Sequence, residues 1–462
     1  MNTTICAIST ASGQGAIAVI RVSGPQAIEI CDKVFVSTIP NKKLSIVKPN
    51  TVHYGSIFDG KQLIDEVLVS VFKAPHSFTG ENSVEIACHG SQYIQQQILQ
   101  LLVKNGAELA QAGEFTMRAF SNGKMDLSQA EAIIDLITAS SAASHKIALQ
   151  QMRGGFSNEL VKLRDDLLTF VSLIELELDF SEEEVEFANR AQLKELIQGI
   201  IAKLSRLADS FSLGNAIKNG IPVAIVGETN VGKSTLLNLL LNEEKAIVSD
   251  IHGTTRDSIE DTVVINGITF RFIDTAGIRQ TTDVVENLGI KRTYLIIEQA
   301  EIVLFLVDAT KGVDIIKSQI LHIKELLQGK KLVLVCNKSD LLTSTQLKAL
   351  GDTDFDLVNN KILISASLGT NSEQLQKILI DSAHMSEIND QEVIVSNVRH
   401  YEALVKALAA IKRVEAGLKD NIAGDLLSQD IRECMFYLGE ITGSIGTEEV
   451  LGSIFSRFCI GK

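Results

Sequence analysis

The rhythm of apolar and polar positions changes three times along this chain. Over residues 1 to about 120, strand-like stretches such as 16-AIAVIRVSG-24, 66-EVLVSVF-72 and 83-SVEIAC-88 alternate with helical ones such as 92-QYIQQQILQLLVK-104. That alternation predicts a mixed α/β unit. From Asp126 the pattern turns helical. Asp126 or Ser128 is placed to cap, Glu131 would complete a capping box with Ser128, and Ile133, Ile134 and Ile137 would share one face. Leu160, Leu163, Leu167, Val171, Ile174 and Leu178 mark a second long helix. It runs into the acidic 175-ELELDFSEEEVE-186, which reads as a solvated face or turn.

Around 214-GNAIKNGIP-222 the texture changes again. From Val223 to about Ile380, short β-branched runs alternate with helical stretches, the signature of βαβ units and a mainly parallel sheet. After 386-SEINDQE-392 the helical spacing returns with Leu404, Leu408, Ile411, Val414 and Leu418. The simplest geometry joins these late helices to the early ones, making the second α/β unit an insertion into a discontinuous helical bundle. The expected organisation is an α/β domain over 1–120, helical segments over 121–216 and 383–462, and an inserted α/β domain over 217–382.

Composition narrows the class. The 462 residues are 45% hydrophobic and 22% charged, which is globular and excludes wholesale disorder. No apolar run reaches membrane-spanning length, and the first basic residue is Arg21, so neither a membrane span nor a secretory signal is expected. Six cysteines form no CxxC pair and read as reduced thiols of a cytoplasmic protein. A net charge of −14 means that any nucleic-acid contact is local or shared with another protein.

The strongest chemical signal is 227-GETNVGKS-234, with strand 223-VAIV-226 before it and helix 235-TLLNLLLN-242 after it. Backbone N–H groups of such a loop, here from Asn230 through Val231 and Gly232 to Thr235, turn inward onto phosphate oxygens at a helix N-terminus. Lys233 would reach the β- and γ-phosphates and Ser234 would offer its hydroxyl to Mg²⁺. Strand 270-FRFI-273 delivers 274-DTAG-277: Asp274 suits the Mg²⁺ hydration shell, and Gly277, after Thr275 and Ala276, suits the γ-phosphate. Within the intervening 253-GTTRD-257, Thr255 is the candidate for a second Mg²⁺ hydroxyl. Strand 332-LVLVC-336 ends in 337-NKSD-340. A carboxylate at Asp340 accepts from guanine N1–H and its exocyclic amine, donors that adenine lacks, while Asn337 and Lys338 brace the pocket. Strand 361-KILI-364 leads to Ser365, Ala366 and Ser367, placed to close over the base. Four motifs in this order, each at a strand end, define a Ras-like P-loop GTPase domain.

Ile278 stands where a Ras-like enzyme has the glutamine that orients the attacking water, so that role moves elsewhere. Asp283 and Glu286 are carboxylates in reach by sequence, and each also reads as an ordinary acid at a helix start. Compensating charge for the transferring phosphoryl could come from Arg256, Arg279 or a monovalent cation, for which Asn230 offers an amide oxygen inside the P-loop.

Together, 78-FTGENSVEIACHG-90, 113-GEFTMRAFSNGKMDLSQAEAI-133, GTTRD and the terminal 458-FCIGK-462 resemble the MnmE (TrmE) family of tRNA modification GTPases over the whole chain. The resemblance implies a cytoplasmic homodimer whose N-terminal domain binds tetrahydrofolate and drives dimerisation. It implies a heterotetramer with the FAD-containing MnmG (GidA) that adds an aminomethyl or carboxymethylaminomethyl group to C5 of the wobble uridine of certain tRNAs. The one-carbon source would be a 5-formyl- or methylene-tetrahydrofolate, with Arg21, Glu85, Lys124 and Lys462 as folate-site residues. Apolar Phe455, Phe458 and Ile460 suit a docked chain end. Two GTPase domains would face each other with K⁺ held by Asn230 and by the loop 249-SDIHGTT-255 through Ser249, Ile251 and Thr254. Asp250, His252 and Gly253 complete that loop around GTP, and Glu286 matches the water-orienting glutamate. Ser249 departs from a frequent Thr and His252 from a small residue, while Cys459 reads as a packed thiol. The GTPase motifs alone also fit a regulatory or ribosome-assembly switch without folate chemistry, and the N-terminal unit is what separates the two.

Overall fold

The computed structural model describes residues 3–179, 190–244, 261–273, 295–327, 330–355, 358–383, 393–420, 422, 424–445, 448–456, 458 and 460–461. The chain forms two compact units, one of Met1–Ile137, Gln150–Ile201 and Ala403–Lys462, the other of Thr138–Leu149 and Ala202–Glu402.

The first unit opens with β1 (Ile5–Ile8), β2 (Ile17–Ser23), α1 (Ala27–Val34), β3 (Phe35–Ser37), β4 (Thr51–Asp59), β5 (Gln62–Phe72), β6 (Ser83–His89), α2 (Gln92–Lys104) and β7 (Glu108–Leu109). They build a seven-stranded sheet in the order β3-β4-β5-β6-β2-β1-β7. Pairing is antiparallel except where β7 runs parallel to β1. Period-two alternation sends Ile20, Val22, Val67, Val69, Val71, Val84 and Ile86 into a core with Ile30 of α1 and Ile98 of α2. The opposite face carries Arg21, Glu85 and the exposed Val52, Tyr54 and Leu68.

Helices α3 (Glu114–Ser121) and α4 (Leu127–Thr138) follow. Asp126 is the cap of α4. Its carboxylate accepts from the Gln129 N–H at 2.9 Å and the Gln129 side chain accepts from the Asp126 N–H at 2.9 Å. The box therefore joins Asp126 to Gln129 and not Ser128 to Glu131, because the Ser128 hydroxyl is spent on Asp126 and Ser157. The expected isoleucine face is buried only in part: Ile134 packs on the cluster of Leu127 and Ala130. Leu127, Ser128, Ala130, Glu131 and Ala132 are buried, while Ile137 is exposed.

Beyond α5 (Ala142–Met152), α6 (Gly155–Asp179) carries the expected stripe, with Leu160, Leu163, Leu167, Val171 and Ile174 all buried. The chain then runs through α7 (Arg190–Asn219) into β8 (Ile221–Val226). Next come α8 (Lys233–Glu244), β9 (Asp261–Ile265), β10 (Ile268–Phe272), β11 (Ile302–Asp308), α9 (Val313–Leu327), β12 (Lys331–Asn337), α10 (Ser344–Asp352), β13 (Asn360–Leu363) and α11 (Ser372–Ser382). After it come α12 (Val398–Lys419), α13 (Gly424–Thr442) and α14 (Glu448–Phe455). Residues from Ala403 onward rejoin the first unit, where α13 packs on α6 through Leu427, Ile431, Cys434 and Leu438. The helical bundle is therefore discontinuous in sequence, with the second α/β unit inserted into it.

The second sheet runs β13-β12-β11-β8-β10-β9, parallel apart from β9 against β10. Residues 302–307 of β11 are all buried, as a strand covered on both faces requires. One face packs under α8 and α11 through Leu236, Leu240, Leu375 and Leu379, the other under α9 through Ile316 and Ile320. Order reverses at β8, which has β10 on one side and β11 on the other. The crevice at the carboxyl ends of these strands is where such sheets bind ligands.

Candidate functional site

Residues 227–232 connect β8 to α8 at that crevice. Asn230 lies in the left-handed region at φ 63° and is exposed, whereas Val231 is buried. Gly232, at φ 100°, lies so close to Asn337 that a β-carbon would stand 2.3 Å from its Nδ2. Lys233 begins α8 and folds its ammonium back over the loop, donating to the carbonyls of Gly227 at 2.7 Å and Glu228 at 2.6 Å. Burial lowers the Lys233 pKa, partly offset by the Glu228 charge. Ser234 is half-buried and Thr235 exposed on the first turn of α8, where N–H groups lack intrahelical partners. Glu228 turns away from the loop and pairs with Lys311 and Gln319.

The base side of the crevice is built from the ends of β12 and β13. Asn337 is buried; its Nδ2 donates to the Val231 carbonyl at 2.7 Å and its Oδ1 accepts from the Ala366 N–H at 2.9 Å. One side chain thus ties the phosphate loop to the 365–367 turn. That turn is closed by Ser365 and Thr370, which exchange backbone hydrogen bonds of 3.3 and 3.1 Å, and Ser367 contacts the Ser365 hydroxyl at 3.1 Å. Lys338 sits at φ 65° and donates to Asp308 at 2.6 Å. Burial pushes the Asp308 carboxyl up, but hydrogen bonds from Lys338 and Thr310 outweigh it and hold the group below the ordinary range. Asp340 stands exposed on the turn Ser339–Leu341. Asp308, the last residue of β11, is the partner of Lys338 that its sequence motif did not reveal; the 308-DAT-310 stretch was the signal for it.

The structure thereby gathers Asn230, Val231, Gly232, Lys233, Ser234, Thr235, Asn337, Lys338, Asp340, Ser365, Ala366 and Ser367 around one crevice. Ser249 through Thr255, Arg256, Asp274 through Gly277, Ile278, Arg279, Asp283 and Glu286 lie outside the described residues, as do Cys459 and Lys462.

A second constellation lies in the first unit. Arg21 and Glu85 are directly opposite in the β2–β6 register, and the guanidinium donates to one Glu85 oxygen at 3.0 and 2.8 Å. Phe78 and Phe115 flank it, their centroids 5.1 and 5.7 Å from the guanidinium carbon. Lys124 donates to the Pro75 carbonyl at 3.0 Å. Residues 75–81 link the two places and are themselves anchored. Glu81 accepts from Ser23 at 2.8 Å and from the fully buried Arg118 at 3.3 Å. The chain end docks here too. Phe455 and Phe458 pack with Leu127 and Ala130, Ile460 bridges to Ala112, and the Gly461 carbonyl accepts from Ser9 Oγ at 3.0 Å. Gly461 has φ 95°, and a β-carbon on it would lie 2.3 Å from the Ile8 carbonyl.

The described cysteines are unsuited to nucleophilic work. All are buried, and burial raises the Cys6, Cys336 and Cys434 thiols to about 12 and Cys88 to about 11.

Sheet order, phosphate loop and base-side turns define a P-loop GTPase. A family model described as the MnmE helical domain matches residues 127–459, and one described as the N-terminus of the GTP-binding protein TrmE matches residues 4–124. The chain is 58% identical over 462 residues to the tRNA modification GTPase MnmE of Bacteroides fragilis, covering 99% of each, and 55% identical over 461 residues to that of Flavobacterium johnsoniae, again covering 99% of each. An Era variant from Aquifex aeolicus, solved with GDP and AlF4−, aligns with 41% of this chain and 65% of its own at 28% identity and a TM-score of 0.28. The chain belongs to the MnmE family of tRNA modification GTPases. Among the described residues, no helix is long and apolar enough to cross a membrane.

Proposed function

We propose that this protein is a K⁺-stimulated GTPase of the cytoplasm that works with the FAD-containing MnmG to add an aminomethyl or carboxymethylaminomethyl group to C5 of tRNA wobble uridines. Its first unit holds the folate one-carbon donor. The observation that carries this reading is the meeting of the Arg21–Glu85 pair and the docked C-terminal segment at neighbouring strands β1, β2 and β6 of one sheet. A switch without folate chemistry has no use for that arrangement. Arg21 and Lys124, with Lys462 next to the docked Gly461, supply cations for folate carboxylates, and Glu85 supplies an acceptor for pterin N–H groups. The open sheet face bearing Val52, Tyr54 and Leu68 supports homodimerisation through this unit.

GTP lies along the crevice, its phosphates on residues 230–235 and its base between Asp340 and Ser365–Ala366–Ser367. Ser234 and Thr255, with Asp274, would hold Mg²⁺, which would supply charge compensation for the transferring phosphoryl. Asn230, Ser249, Ile251 and Thr254 would hold K⁺, which would supply the positive charge an arginine finger gives, and Glu286 would orient the water. The exposed, left-handed Asn230 supports the ion assignment, since its side chain points off the loop rather than into the core. GTP turnover measured in KCl and NaCl at equal ionic strength tests the ion; equal rates remove K⁺ from the mechanism. Binding of 5-formyl-tetrahydrofolate to the intact protein and to Arg21→Ala tests the folate site; no binding by the intact protein ends that reading.

A further inference from the structure

His89 ends β6 with its ring held in a fixed orientation. Its Nδ1 lies 2.7 Å from Asp65 Oδ1, and its backbone N–H donates to Asp65 Oδ2 at 2.8 Å. A carboxylate only accepts, so Nδ1 carries the hydrogen and Nε2 is the nitrogen left for solvent. The Asp65 side chain is 7% exposed and that of His89 is 69% exposed. This is a buried carboxylate orienting an exposed imidazole, an arrangement that core packing does not require and that proton transfer does.

Its position points to a substrate. In the β2–β6 register Arg21 pairs with Glu85, Val19 with Ala87 and Ile17 with His89, so all six lie on one face. His89 stands four residues, about 13 Å at ~3.4 Å per residue, from Glu85. Between them lies an apolar strip of Val19 and Ala87. Asp65, opposite Ile57, has the strand parity of core-facing Val67 and Val69, so it holds the His89 ring from the end of the sheet. A polar pair, an apolar strip on the open face and an oriented imidazole at the end of that strip suit a flat heterocycle with an amine several bonds away. The β1–β2 connection that receives Gly461 through Ser9 also braces His89. Gly15 N–H donates to the Gly90 carbonyl at 3.3 Å, and Gly90 N–H donates to Ala16 at 3.2 Å.

We propose that His89, positioned by Asp65, is the general acid that opens a methylene-bridged tetrahydrofolate on this face; the inference rests on the folate reading above. The imidazolium gives its Nε2 proton to N10. The bond from the bridging carbon to N10 breaks with its electron pair going to N10. The carbon remains on N5 as an iminium cation, and the imidazole is left neutral.

The test uses the full-length protein with the FAD partner, GTP, tRNA and methylene-tetrahydrofolate, reading modified wobble uridine, alongside binding of 5-formyl-tetrahydrofolate. His89→Gln keeps an N–H for Asp65 but cannot relay a proton. It is expected to lower the modification rate at least ~100-fold with folate affinity retained, and added imidazole is expected to restore part of the rate to His89→Ala. Asp65→Asn is expected to lower kcat with KM for folate little changed. A fully active His89→Gln, or one whose loss is matched by lost folate binding, overturns the assignment. Failure of the unaltered protein to bind folate instead overturns the reading beneath it.

Discussion

The amide nitrogen of Asn337 donates to the carbonyl of Val231 at 2.7 Å, across 106 residues of sequence, inside the core of the GTPase unit. The same side chain holds the turn at Ala366. Phosphate loop and base pocket are therefore coupled by one buried group. Asn337→Asp replaces the donor with an oxygen facing a carbonyl. The unfolding transition of the GTPase unit should lose about 1–3 kcal/mol, and GDP affinity should fall with it. Thermal melts and nucleotide titration check both; wild-type affinity would contradict the coupling.

Gly232→Ala brings a methyl to 2.3 Å from that same amide at a φ of 100°. The loop or Asn337 must move. Nucleotide binding should drop severely by equilibrium titration, while folate binding by the first unit should remain. Normal nucleotide binding would contradict the geometry.

Burial lowers the Lys233 pKa in the free protein. Its charged form is the one disfavoured, so the proton leaves at a pH below the ordinary lysine value of about 10.4. Phosphate favours the charged form. GTP affinity should therefore decline as pH rises through that lowered pKa, with proton uptake on binding over the same interval. Calorimetry in buffers of differing ionisation enthalpy measures the uptake. Lys233→Arg, which does not titrate there, should abolish it; uptake that persists in this variant would contradict the assignment.

The phosphate loop was legible because its chemistry is local: six residues between a strand and a helix suffice. The insertion was legible because helical spacing stops before β8 and resumes at Leu404. What was hidden depends on register and on competing partners. Arg21 and Glu85 read as separate ligand contacts, and only the β2–β6 pairing makes them partners. Ser128 looked like a cap, but its hydroxyl is committed to Asp126 and Ser157. Ile134 and Ile137 were expected on one face, yet Ile134 packs on Leu127 and Ala130 while Ile137, one turn nearer the end of α4, is exposed. Strands β3 and β7, of three and two residues, fall below any periodic signal.

Asp340→Asn exchanges an acceptor for an amide that suits a carbonyl. GTP affinity should fall and xanthosine triphosphate affinity should rise. Competition binding with the two nucleotides reads the exchange; unchanged preference would move guanine recognition elsewhere.

Gly461→Ala cannot keep both its φ of 95° and its approach to the Ile8 carbonyl. The chain end should leave Ser9, and affinity for 5-formyl-tetrahydrofolate should weaken roughly tenfold, about 1.4 kcal/mol, with GTP binding unaltered. Equal folate affinity would remove the C-terminal segment from the site.

The most direct measurement is reconstituted modification of a wobble-uridine tRNA by the purified protein and the FAD partner. The account predicts that modified uridine forms only when GTP and methylene-tetrahydrofolate are both supplied, and that it disappears with Lys233→Ala and with Arg21→Ala. Undiminished product without folate, or with either variant, would contradict it.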